Sequence, residues 1–96
     1  MRFTWDPGKS DANLAARGFD FEFATLIFAG PTLAREDTRR SYGERRIIAI
    51  GLAQGIALTV AYTDRVIEAD IERRIISGRR SNRRERKAYQ VALERG

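Results

Sequence analysis

The chain has 96 residues and a formal net charge of +5, with neither histidine nor cysteine. That length predicts one domain, spanning 1–96, and 43% hydrophobic with 32% charged residues is a globular composition rather than a disordered one. The missing residue types exclude a Ser-His-Asp triad, a paired-histidine ribonuclease site, a disulfide framework and a zinc site built on Cys or His, and no apolar run approaches the ~20 residues of a membrane span.

In chain order, Arg2-Phe3-Thr4-Trp5 predicts a first strand with Phe3 and Trp5 on one face. Asp6-Pro7 supplies an N-cap and a residue favoured at the first helical position, so a helix begins there and closes near Gly18. Lys9, Asn13 and Arg17 recur four apart along it as a polar stripe. Asp20 caps a second helix, whose Phe21, Ala24, Ile27 and Phe28 recur at core-facing spacing until Gly30-Pro31 ends it. Leu33 to Gly43 reads as a polar loop with a short edge strand near Leu33–Arg35. Asp37 and Glu44 are the acids of interest there.

Arg46 to Leu52 is a strand, Ala53-Gln54-Gly55 a hairpin turn, and Ile56 to Thr63 a strand apolar enough to be central. Asp64-Arg65 leads out, and the alternation from Ala69 to Ile76 gives a last strand, closing an antiparallel meander. A final helix follows, with Glu85, Ala88, Tyr89, Ala92 and Leu93 on its inward arc. The fold class is α+β: an antiparallel sheet of about four strands, two N-terminal helices and a C-terminal helix.

Charge is concentrated at the junction of the last strand and the last helix. Between Arg73 and Lys87 stand eight basic residues and one acid, Glu85. Such a patch attracts a polyanion. Asn82 with Glu85 fits a capping box, which puts Arg83 and Arg84 in the first helical turn. Cations there oppose the helix dipole, so helix stability alone does not select them, whereas an anion docked at that terminus would. The alternative is a solvated basic face in a chain where arginine outnumbers lysine sixteen to two.

The ordered set Phe3-x-Trp5-Asp6-x-x-Lys9-x-x-x-Asn13, Gly18-x-x-Phe21-Glu22-x-Ala24-x-x-x-Phe28, Asp37, Gly43-Glu44-x-Arg46, Tyr62-Thr63-x-Arg65, and Arg74-Ile75-Ile76-Ser77-x-Arg79 followed by Glu85-Arg86-x-x-Tyr89 resembles the BrnT family of type II toxins. The resemblance spans residues 3 to 89. It implies a RelE-like α+β fold, ribonuclease activity that blocks translation, and neutralisation by a BrnA-like antitoxin. It also implies operator DNA binding only through the antitoxin complex. The family usually carries Lys-His-Gly before the second helix; Ala16-Arg17-Gly18 stands here.

RNA cleavage by attack of the ribose 2′-OH needs alignment, stabilisation of the phosphorane charge and proton movement. Arginine forks suit the phosphate. The catalytic candidates are Lys9, Arg46, Arg65, Arg74 and Arg79, and the RNA-binding candidates are Trp5, Arg80, Arg83, Arg84 and Lys87. Glu22, Glu44 and Tyr89 are candidates for proton transfer. Each has a structural alternative: Arg74 paired with Glu22 or Glu44, Tyr89 and Trp5 packed in the core, Glu85 a simple cap. Asp64, Glu68, Asp70 and Glu72 read as a solvated edge, so neither a metal nor another cofactor is expected. The expected partners are an antitoxin and RNA, with a homo-oligomer left open. No membrane contact is expected, no signal peptide opens the chain, and the cytoplasm is the expected location. The competing reading is a non-catalytic basic module that docks an antitoxin or joins an operator-bound complex.

Overall fold

The structure, a computed structural model, describes residues 1–96. Strand β1 (Arg2–Trp5) leads into helix α1 (Pro7–Arg17). The Asp6 carboxylate caps α1 by accepting from the Gly8 and Lys9 amides, and Gly18, at φ +85°, closes it in the left-handed conformation that glycine adopts without strain. Asp20 then caps α2 (Phe21–Ala24), which tightens into a 3₁₀ turn at Thr25–Ala29. The predicted second helix is therefore one α turn followed by one 3₁₀ segment.

Strands β2 (Leu33–Glu36), β3 (Ile47–Ala53), β4 (Ile56–Ile67) and β5 (Asp70–Arg80) follow, then α3 (Arg83–Arg95). The sheet has five strands in the order β1-β5-β4-β3-β2. This corrects the expected sheet of about four antiparallel strands: β1 lies parallel to β5, pairing Arg2 with Glu72 and Trp5 with Ile75, so the sheet is mixed. The meander of β3, β4 and β5 is present, with β4 in the middle. Strand β4 is longer than expected because Asp64 and Arg65 stay in register with Arg73 and Glu72. Two-residue turns join the strands, with positive φ at Gln54 and Gly55 and again at Glu68 and Ala69. Between Ala61 and Tyr62 the β4–β5 register shifts, and Ile76 is the extra residue.

The core lies on one face of the sheet. Phe19, Phe21, Ala24 and Ile27 pack on Leu58, Val60, Tyr62 and Ile75. Alternation sends Thr59, Ala61 and Thr63 to the opposite face, where α3 packs against β3. The 3₁₀ turn approaches the sheet closely at Gly51: a Cβ there would lie 2.9 Å from Ile27 Cβ and 3.2 Å from the Ile27 carbonyl oxygen. Gly51→Ala is expected to destabilise the fold by about 1–2 kcal/mol through overpacking, read by denaturant unfolding. A variant as stable as the parent would show that the turn yields.

Candidate functional site

Two groups of polar side chains occupy the sheet face that carries α3. The first is a cleft of about 430 Å³ lined by Glu44, Arg45, Thr63, Asp64, Arg65, Glu72 and Arg74, with no hydrophobic residue among them. Register builds it. The Glu68-Ala69 turn sets Thr63 opposite Arg74 and Arg65 opposite Glu72, so these four side chains share one face. Glu44 and Arg45 close it from the loop before β3.

Most arginines around the cleft are engaged. Arg65 pairs with Glu72 at 3.1 Å, and Arg45 with Glu36 at 3.0 Å. Arg73, on the other face of β5, makes two 2.8 Å bonds to Asp64 and stacks over the Tyr62 and Phe28 rings at 4.2 and 4.8 Å. Arg74 is exposed and makes no ion pair. The alternative that paired it with Glu22 or Glu44 is not what the chain does: Glu44 accepts from Arg46 Nε at 3.2 Å. Arg46 lies 4.0 Å over the Tyr42 ring, and the Tyr42 hydroxyl donates to Asp37 at 2.9 Å. Asp37 is buried, and the hydrogen bonds from Arg39, with a further one from Tyr42, hold its carboxyl well below the usual carboxylate range. The loop that presents Glu44 and Arg46 is thereby pinned from beneath.

The second group sits where α3 begins. Asn82 and Glu85 form the expected capping box. Glu85 also takes a bidentate pair from Arg79 at 2.7 and 2.8 Å, which with the Asn82 amide lowers its carboxyl to about 2. The same pairing raises the Arg79 guanidinium above its ordinary value. Beneath them the Thr59 and Ser81 hydroxyls share a buried 2.8 Å hydrogen bond. Glu85 is thus more than a cap.

Of the catalytic candidates, Arg65 and Arg74 meet in the cleft with Glu44, and Arg46 stands behind Glu44. Arg79 belongs to the second group, five residues along β5 from Arg74, or about 16 Å at strand rise. Lys9, exposed in the first turn of α1, does not line the cleft, nor does Glu22 on α2. Arg83, Arg84 and Lys87 are exposed on α3, whereas Arg80 alternates to the core face beside Leu58. Two candidates move to packing. Trp5 is half-buried against the core, since β1 turns it to that face. Tyr89 is buried and its hydroxyl donates to the Pro31 carbonyl at 2.7 Å, leaving no free proton carrier.

The family model for the ribonuclease toxin BrnT of type II toxin-antitoxin systems matches residues 5–85 of the chain. The chain belongs to the BrnT family. Its fold is similar to the 1.1 Å crystal structure of the Brucella abortus ribonuclease toxin BrnT: the TM-score is 0.59 at 22% identity, over 86% of this chain and 99% of that one. No curated protein matches.

Within this BrnT-family chain, sequence reasoning missed Glu72. Expected on a solvated edge, it is buried between Arg65 at 3.1 Å and Arg2 at 3.5 Å. A two-residue turn at Glu68-Ala69 would have revealed it, but that turn lacks the Asn or Gly that usually marks one. Arg17, where the family usually carries histidine, donates to the Gly78 carbonyl at 2.7 Å and ties α1 to β5. No three acidic side chains are grouped to hold a metal ion, and no helix is long and apolar enough to cross a membrane.

Proposed function

We propose that this toxin is a metal-independent endoribonuclease whose reaction centre is the Arg74 cleft. The observation that carries the reading is Arg74 itself: an exposed, unpaired guanidinium over a polar cleft that also holds Arg65 and Glu44. In this reading Arg74 takes the non-bridging oxygens of the scissile phosphate as a fork, and Arg65 and Arg46 add positive charge as the phosphorane forms. Glu44 accepts the 2′-OH proton, the 2′-oxygen bonds to phosphorus, and the P–O5′ bond breaks, the 5′-oxygen taking a proton from water as it leaves as the 5′-hydroxyl. Arg83, Arg84 and Lys87 hold flanking phosphates along the same sheet face, with Arg79 between them and the cleft. Lys9, Glu22 and Arg80 stand apart from this centre.

The helix-on-sheet arrangement supports the RelE-like architecture and a single toxin domain over 1–96. The type II family supports neutralisation by a BrnA-like antitoxin, with operator DNA reached only through that complex, and activity in the cytoplasm. The test is cleavage of RNA by the purified chain without ribosomes, with and without EDTA. Equal cleavage in both is expected. A requirement for added metal overturns the arginine mechanism. Salt-sensitive RNA binding without cleavage, on free RNA and on translating ribosomes alike, returns the chain to the non-catalytic binding module.

A further inference from the structure

Several residues expected to face inward on α3 are left uncovered. Ala88 is exposed and Leu93 is 45% exposed, while Tyr89 alone is buried. The result is a furrow between α3 and β2. At one end Leu33, Ile48, Ile50 and Ala88 floor a trough of about 320 Å³. At the other, Pro31 and Leu93 flank a second trough of about 290 Å³. Leu33 lines both, so the two lie side by side. Strand β2 is the edge of the sheet, and its outer side pairs with nothing in this chain.

The rim of this apolar furrow is positive. Arg35 and Arg84 border the first trough, and the one carboxylate there, Glu85, is already taken by Arg79. Lys87 is exposed on the same helix. The one aromatic ring along the furrow, Tyr89, is buried with its hydroxyl held by the Pro31 carbonyl, so it offers no open face to an RNA base, which is held by stacking and by polar groups at its edges. The apolar floor suits a buried aliphatic or aromatic anchor, and the rim then calls for carboxylates beside that anchor.

We propose that the furrow between α3 and β2 is where the antitoxin docks, through an acidic segment carrying a large apolar anchor. The inference rests on the toxin–antitoxin membership and is independent of which residues cleave RNA. Docking here covers Arg84 and its neighbours, which the functional reading gives to flanking RNA phosphates. Neutralisation then acts by displacing RNA from α3 rather than by filling the cleft.

The test uses the full chain and its purified antitoxin. Ala88→Gln replaces one helix former with another at an exposed site and keeps the net charge, yet fills the trough. Antitoxin affinity is expected to fall about thirtyfold, with RNA cleavage unchanged. Arg84→Gln is expected to weaken it about fivefold and to flatten its salt dependence. Hydrogen exchange in the wild-type complex should protect 31–36 and 84–93. Wild-type antitoxin affinity in Ala88→Gln, or protection confined to the β4–β5 hairpin, overturns the proposal. So does loss of RNA cleavage with antitoxin binding intact, which would make the furrow an RNA subsite. A chain that cleaves no RNA but releases its antitoxin on Ala88→Gln keeps this inference and refutes the ribonuclease mechanism.

Discussion

Arg74→Ala is expected to lower the single-turnover rate of RNA cleavage by about 10²–10³-fold, the usual cost of removing one preorganised donor to a developing oxyanion. Stability should barely change, because the side chain is exposed and pairs with nothing. Arg74→Lys restores the charge but not the planar fork, so it should recover part of the loss. The neighbouring arginines serve as internal controls. Arg73 is held by Asp64 and by two aromatic rings, and its loss should appear in unfolding rather than only in kinetics. Arg79 is held by Glu85, so a double Arg74/Arg79 variant would mix chemistry with folding. Thermal unfolding beside the kinetics separates the two. If Arg74→Ala cleaves at the wild-type rate while a still-folded Arg79→Ala does not, the reaction centre belongs at the start of α3.

The parts of the fold legible in sequence are those set by local signals. Asp6-Pro7 and Gly18 bound α1, Asn82 and Glu85 start α3, and the Gln54-Gly55 turn orders β3 and β4. What escaped depends on pairing between distant segments. Four residues from Arg2 to Trp5 announce a strand but not that its neighbour is β5, so the sheet gained a parallel edge and Trp5 a core position. The cleft was half legible for the same reason. Arg65, Arg74 and Glu44 carry the right chemistry in sequence, yet it takes the β4–β5 register to set Arg65 and Arg74 on one face with Glu72, and the loop before β3 to bring Glu44 to them. Arg79 shows the converse. Its charge density marked it for phosphate, but Glu85, six residues on, already satisfies it. An arginine's availability depends on its partner, and partners across a strand–helix junction do not show in composition.

That partnership makes Glu85 a polar residue whose loss should cost stability on two counts. Glu85→Ala removes the Arg79 pair and the side-chain bond to the Asn82 amide together, and about 2 kcal/mol is expected in denaturant unfolding at neutral pH. Glu85→Gln keeps the amide bond and discards the charge, so it should lose about half of that. The pH dependence tells them apart. Hydrogen bonding from Arg79 lowers the folded carboxyl from 4.5 to about 2. A group depressed on folding stabilises fully above its unfolded value and loses that contribution as pH falls through its folded one. The wild type should therefore lose about 1–2 kcal/mol between pH 4.5 and 2, less than the full shift implies because Arg79 is nearly half exposed and water screens the pair. Glu85→Gln lacks this step, so its stability should converge on that of the wild type as pH approaches 2. Asp37 titrates in both proteins and cancels from the difference. Parallel curves over that window would mean that Arg79 and Glu85 are not paired in solution. Arg79 would then be free for phosphate, and the start of α3 would join the cleft as part of the RNA-binding face.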